Sequence, residues 1–338
     1  MTGLLAVALG DPAGIGPEIT AKAWERREAE GLPPFFAVGA PEALRAVWDG
    51  PLEVVAGPDE AALCFRSSLP VIRIDTAGET VPGQPTLEGA RNSLDALELA
   101  VGLTRSGASS GLVTGPVSKA QLYAIGFTHP GQTEFVAERC GIAAEMVAMM
   151  LAGPTLRTVP VTTHVALREV PGLLTTELIV ARGRTTIRAL KRLFGIARPR
   201  LAVAGLNPHA GESGALGREE IDTVIPAIER LREEDADVSG PHASDTLFHQ
   251  RMRATYDAAL CLYHDQALVP LKTLHFDEGV NITLGLPIVR TSPDHGTAFA
   301  IAGRNEALPD AMIAALKMAA GCSARLAEAG NPCRRCAR

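Results

Sequence analysis

The stretch Leu201-Ala-Val-Ala-Gly-Leu-Asn-Pro-His-Ala-Gly211 sets the frame for the whole chain. Its first four residues form a short apolar run stopped by glycine, which marks a buried strand, and a turn-rich loop carrying His209 follows. Two other runs end in the same way. Val159–Thr162 leads into Thr163-His164, and Ala259–Tyr263 leads into His264-Asp265-Gln266. In open α/β sheets, ligands bind in the crevice beyond the carboxyl ends of the strands. Three histidines delivered by three strand ends are therefore placed to converge. Their spacings, 45 and 55 residues, match no local zinc motif. Two readings stay open: each histidine is a satisfied structural residue, or the three imidazoles surround a divalent metal and leave positions for substrate. Asp265 is then either a ligand or a group that orients His264.

Working outward, short apolar runs alternate with amphipathic stretches, the pattern of a largely parallel sheet with helices on both faces. Leu4–Leu9, Leu112–Thr114 and Val147–Leu151 join the strand candidates. Helices are expected from Pro17 to about Glu28, over Thr176–Leu193, Arg218–Arg232 and Pro309–Ala327, and along the stripe Leu87, Ala90, Leu94, Leu97, Val101. The 338 residues suffice for two such domains, or for one large one. Hydrophobic residues at 46% and charged residues at 21% describe a globular chain, and only 4% aromatics leave the core to Ala, Val, Leu and Ile. A net charge of −6 argues against nucleic acid as a partner. The absence of a long apolar run argues against a membrane span, and with no basic leader ahead of Asp11-Pro12 the expected location is the cytoplasm. Six scattered cysteines show no disulfide framework, and Cys333 and Cys336 form an isolated C-x-x-C.

Other segments carry chemistry by residue type. Asp11-Pro-Ala-Gly-Ile-Gly-Pro-Glu18 is a tight strand–helix turn or an anion-holding helix start, and it is not the dinucleotide fingerprint. Gln132-Thr133-Glu134 is a capped helix start or a set of substrate contacts. Lys272 and Arg290 either snorkel from an apolar run or, together with Asn281, hold a phosphate or carboxylate. Asp294-His295-Gly296-Thr297 is a plain connection or a loop beside a flat ligand.

Taken in order, these segments resemble the 4-hydroxythreonine-4-phosphate dehydrogenase family of vitamin B6 biosynthesis. The resemblance rests on Gly10–Glu18, Thr114–Lys119, Gly131–Phe135, Thr162–His164, Gly205–Glu212, Asp245–Phe248, Tyr263–Gln266, Val269–Lys272, Gly279–Gly285 and Arg290–Thr297. It implies an α/β fold of two α/β/α domains with an active-site cleft between them, similar to the isocitrate and isopropylmalate dehydrogenases. A discontinuous first domain, 1–125 plus 291–338, would lie on the nucleotide side, and 126–290 would carry metal ligands and dimer contacts. By the same resemblance, His164, His209 and His264 would bind a divalent metal (Zn, Mg, Mn or Co). Gln132, Thr133, Lys272, Asn281 and Arg290 would contact a phosphorylated hydroxy acid, and His295, Gly296 and Thr297 would lie near NAD or NADP. Lys272 and Asp245 are the candidates for proton handling, in a homodimer whose subunits share the site.

The implied reaction is oxidation of 4-hydroxythreonine-4-phosphate followed by decarboxylation to 3-amino-2-oxopropyl phosphate, within pyridoxal phosphate biosynthesis. Gln132 stands where this family usually has histidine, and the amide cannot carry a proton charge. Competing readings are a dehydrogenase of 4-phospho-threonate, 4-phospho-erythronate or a related diol, a non-catalytic metabolite-binding protein, and a phosphate acyltransferase-like enzyme.

Overall fold

The computed structural model describes residues 3–74 and 80–330, so Cys333 and Cys336 lie outside the described residues. Two compact units emerge: Met1–Gly141 with Leu286–Arg338, and the uninterrupted Ile142–Gly285.

In the discontinuous unit, β1 (Leu5–Ala8), β2 (Phe35–Gly39), β3 (Leu52–Val55), β4 (Leu69–Arg73) and β5 (Gly111–Thr114) are joined by β12 (Arg290–Pro293). They pair in the order β3-β4-β2-β1-β5-β12, and all five pairings are parallel. Burial explains the strands. Leu5, Ala6, Val7, Phe35, Phe36 and Val38 are fully enclosed, and each large side chain contributes about 2–3 kcal/mol by leaving water. The apolar stripe beginning at Leu87 is the helix Leu87–Arg105, capped by Thr86, whose Oγ1 accepts from the Gly89 amide at 3.0 Å. The last helix, Asp310–Gly330, lies on β12, β5 and β1, and Thr291 of β12 donates to Ala315 O at 2.9 Å.

Residues 126–141 pack in this unit, not with the residues after them. Phe127 stacks on Phe135, whose side chain is fully buried. Gln132 Nε2 donates to Gly115 O at 3.1 Å, and Arg139 pairs with Glu98. The limits of the units therefore fall at 141/142 and 285/286, rather than at 125/126 and 290/291.

The second unit holds β6 (Ala148–Ala152), β7 (Arg157–Pro160), β8 (Arg200–Ala204), β9 (Asp237–His242), β10 (Ala258–Cys261) and β11 (Val280–Leu284), ordered β11-β6-β7-β10-β8-β9. Pairs among β7, β10, β8 and β9 are parallel, whereas β6 runs antiparallel to both β11 and β7. The sheet is thus largely parallel, and its antiparallel part has a geometric reason. Only residues 153–156 join β6 to β7, with Gly153 N bonded to Leu156 O at 2.9 Å, and so short a link makes a hairpin and cannot make a crossover. Leu151, Ala202, Leu247, Tyr256, Cys261 and Leu271 form one buried cluster beneath the helix His264–His275. The helix Thr176–Phe194 is capped by Thr175 at its start and by left-handed Gly195 (φ 69°) at its end.

Candidate active site

In the second unit β7, β10 and β8 are adjacent and parallel, so their carboxyl ends stand side by side. The ladder continues past the strands: Val161 N donates to Cys261 O (2.7 Å), and Thr162 Oγ1 to Leu262 O (2.8 Å). These bonds bring His164 and His264 together with ring centroids 5.6 Å apart. Next to them lies a cavity of about 250 Å³, lined by Thr162, Val165, Leu167, Val170 and Tyr263 together with the two histidines and Asp265. Asp265 Oδ1 sits 2.7 Å from His264 Nδ1. A proton held on Nδ1 by that carboxylate leaves Nε2 with its lone pair, the form in which imidazole binds a metal.

His209 arrives differently. Residues His209, Ala210, Gly211, Glu212 and Ser213 have φ of 52°, 54°, 79°, 45° and 56°, five successive residues in the left-handed region. Four of them carry a side chain, and each such residue costs about 1 kcal/mol or more. His209 is exposed, and its Nδ1 lies 3.0 Å from Glu212 Oε2, a second carboxylate–imidazole contact. His164 is also left-handed, at φ 52°. Among the described residues no group of three His, Cys, Asp or Glu stands close enough to hold a metal. One chain thus brings His164 and His264 together, while His209 stands apart from them. The donor chemistry of the pair, with Asp265 fixing one ring, fits a divalent cation.

Asp245 is exposed on the short helix Ser244–Leu247. Its neighbour Ser244 donates to Gly205 O (3.1 Å) and accepts from Gln266 Nε2 (2.7 Å), which ties this helix to the ends of β8 and β10. Lys272 is half-buried on the helix that begins at His264, with Nζ 6.0 Å from the ring of exposed Phe276. Asn281 lies on β11, and its Oδ1 is buried with no hydrogen-bond partner among the described residues. A buried acceptor left in this way suits a ligand donor.

In the discontinuous unit, Arg290 enters from β12 and is only 4% exposed. Its guanidinium donates to Thr114 Oγ1 at 2.7 Å, and to Thr133 Oγ1 and Gln132 Oε1, each at 3.4 Å. Burial pulls its pKa down to about 10, opposed by the negative charge of Glu134. Sequence reasoning named Gln132, Thr133 and Arg290 but not Thr114, whose place at the end of a buried strand was the available signal.

The turn after β1 meets the loop after β12. Ile15 N donates to Thr297 O (3.0 Å), and a Cβ on Gly14 would stand 3.0 Å from that same oxygen. Gly10 is left-handed (φ 78°), and a side chain there would strike Pro116 O at 2.3 Å. His295 and Gly296 are exposed beside this junction, and Glu18 anchors it by accepting from the amides of Gly303 and Ala307. β1 has β2 on one side and β5 on the other, so the turn lies at a switch point of the sheet, the usual seat of a nucleotide in such folds. Asp11 is buried in the same turn, and desolvation raises its pKa while the Ala13 amide opposes the shift.

Paired histidines at adjacent strand ends of one unit, and in the other a buried arginine among hydroxyl and amide oxygens, mark an α/β protein with residue types suited to a cation and to an anion. The family described as "Pyridoxal phosphate biosynthetic protein PdxA" matches residues 34–319, and the chain belongs to that family. It is 58% identical over 316 residues to the 4-hydroxythreonine-4-phosphate dehydrogenase of Zymomonas mobilis, covering 94% of each chain. With the enzyme of that name from Erythrobacter litoralis it shares 54% over 330 residues, covering 96% of this chain and 98% of the relative. The crystal structure of the Klebsiella pneumoniae 4-hydroxythreonine-4-phosphate dehydrogenase superposes with a TM-score of 0.86 at 36% identity, covering 96% of this chain and 98% of that one.

Proposed function

We propose that the chain oxidises 4-hydroxythreonine-4-phosphate with NAD or NADP as hydride acceptor. Decarboxylation to 3-amino-2-oxopropyl phosphate follows, and the product serves pyridoxal phosphate biosynthesis. The observation that carries this reading is the His164–His264 pair beside its cavity, with Asp265 on one ring, in a chain of this family. When bound at His164 and His264, with His209 joining them across the proposed dimer as the third ligand, a divalent metal (Zn, Mg, Mn or Co) would supply Lewis acidity toward the substrate hydroxyl.

The chain's own residues do the rest. Arg290, held by Thr114, Thr133 and Gln132, presents a preorganised fork to a phosphate. Asn281 Oδ1 accepts from the substrate, and Thr133 offers a hydroxyl. Lys272 and Asp245 are the groups for proton transfer. His295, Gly296 and Thr297 border the nucleotide. In this reading the protein works as a homodimer in the cytoplasm.

Membership of a family of dehydrogenases sets aside the binding-protein and acyltransferase readings. Gln132 keeps a second substrate class in view. Its amide is engaged at both ends, by Gly115 O and by Arg290, and adds no charge beside the arginine, so 4-phospho-threonate and 4-phospho-erythronate are the competitors. Reduced-cofactor absorbance with each of the three substrates, with and without EDTA, tests the proposal. Metal-dependent turnover greatest for 4-hydroxythreonine-4-phosphate is expected. Silence with all three, in metal-replete protein, would refute it.

A further inference from the structure

A carboxylate that takes no part in the proposed chemistry stands behind His209. Glu220 is 2% exposed and lies in a wide helical turn, Glu220–Val224. Its Oε1 accepts from the Asn207 main-chain amide at 2.7 Å, and its Oε2 from Asn207 Nδ2 at 2.9 Å. Asn207 immediately precedes Pro208-His209, so both bonds grip the chain where the left-handed turn begins.

The same carboxylate also packs against the middle of that turn. A Cβ on Gly211 would stand 2.6 Å from Glu220 Oε2, and one on Gly205, at the end of β8, 3.3 Å from Oε1. Local bonds within the turn include Ala210 N to Asn207 O (3.1 Å), Ala215 N to Glu212 O (3.2 Å) and Leu216 N to Gly211 O (3.1 Å), and Asn207 Nδ2 also donates to Glu219 Oε2 at 2.7 Å. Left-handed backbone persists only where the surroundings impose it. Here the imposing group is a buried anion aimed at the root of the turn.

We propose that Glu220 is a positioning residue for His209: its buried carboxylate clamps Asn207 and the Gly211 backbone, and so holds the left-handed turn that sets where the imidazole stands. The effect on metal binding rests on the reading of His209 as a metal ligand; the clamp itself does not. Glu220→Gln is the informative change. The amide keeps the size of the side chain but turns one acceptor into a donor facing Asn207 Nδ2.

Two readouts separate the clamp from the metal reading. Hydrogen exchange in metal-free protein reports the turn directly, and Glu220→Gln is expected to speed exchange of the Asn207 and Leu216 amides about tenfold or more. Zn²⁺ affinity, measured by chelator competition without substrate, is expected to weaken by about tenfold to a hundredfold, the range for residues that orient a ligand. Asn207→Ala, which removes the side-chain bonds to Glu219 and Glu220 but keeps the main-chain bond to Glu220, is expected to give smaller changes in the same direction, and it serves if Glu220→Gln does not fold. Wild-type exchange at both amides overturns the clamp. A lowered Tm with unchanged Zn²⁺ affinity, while His209→Ala weakens that affinity, reduces Glu220 to a structural group and overturns the proposal. His209→Ala with undiminished Zn²⁺ affinity overturns the metal reading alone.

Discussion

Replacing Arg290 by methionine separates its two expected effects, on stability and on binding. Arg290 is 4% exposed, and burial lowers its pKa to about 10, well below the ordinary guanidinium value. At 1.36 kcal/mol per unit, holding the charge there disfavours the folded protein by roughly 3 kcal/mol. Against this stand its hydrogen bonds, among them a short one to Thr114 and long ones to Thr133 and Gln132, these three worth roughly 2 kcal/mol together. The two terms nearly cancel. Arg290→Met is therefore expected to shift the Tm of the ligand-free protein by only a few degrees in either direction. Loss of a charge-assisted contact to phosphate should cost about 3 kcal/mol in kcat/KM, or roughly a hundredfold. Arg290→Lys, which keeps the charge but loses the planar fork, should fall between methionine and wild type. Scanning calorimetry and reduced-cofactor absorbance give both numbers. A Tm lowered by about 10 °C or more with kcat/KM intact would show that the arginine holds the fold and not the anion.

Gly16→Ala is expected to destabilise the discontinuous unit by about 2–3 kcal/mol, because a Cβ there would stand 2.0 Å from Leu9 O, a backbone atom that cannot step aside. Urea melts monitored by Trp24 and Trp48 fluorescence check this. The protein should also lose stability in mild acid. Burial lowers the pKa of His242, and burial, assisted by Arg253 and opposed by Glu278, lowers that of His275. Groups with depressed folded values contribute stability that is present above the ordinary value of about 6.5 and is lost as pH falls through the lowered one. The drop in Tm between pH 7.5 and 5.5 should shrink in the His242→Asn/His275→Asn double variant; an unchanged drop would place the acid sensitivity elsewhere.

How far the sequence could be read depended on the range of the forces at each site. The stripe from Leu87 to Val101 named its helix because period and cap are local, and the strands carrying His164 and His264 were visible as apolar runs ending in polar residues. Phe35–Gly39 escaped, although fully buried, because a five-residue run has no period of its own. Asn281 and Arg290 lie on strands that their polar side chains disguised. The stretch Arg218–Arg232, expected as one helix, begins instead with the wide turn at Glu220. Nothing in Pro-His-Ala-Gly-Glu-Ser foretells five left-handed residues, since only Gly211 favours that region and the bonds that impose it come from a residue thirteen positions downstream of Asn207. Convergence of His164 with His264 was legible from strand ends. The separate standing of His209 was not.

The order of synthesis follows from the way the first unit is interrupted. As the chain leaves a ribosome, Ile142–Gly285 is complete while the surrounding unit still lacks β12. Until Arg290 and Thr291 pair with Leu112 and Val113, that side of β5 is bare main chain, the kind of edge on which nascent polypeptides stick to one another. The strand that seals this edge also carries the arginine proposed to grip phosphate. A chain stalled or clipped before that strand would have a finished Ile142–Gly285 unit, an open sheet edge and no Arg290, so capacity to bind substrate would report that the discontinuous unit had been closed.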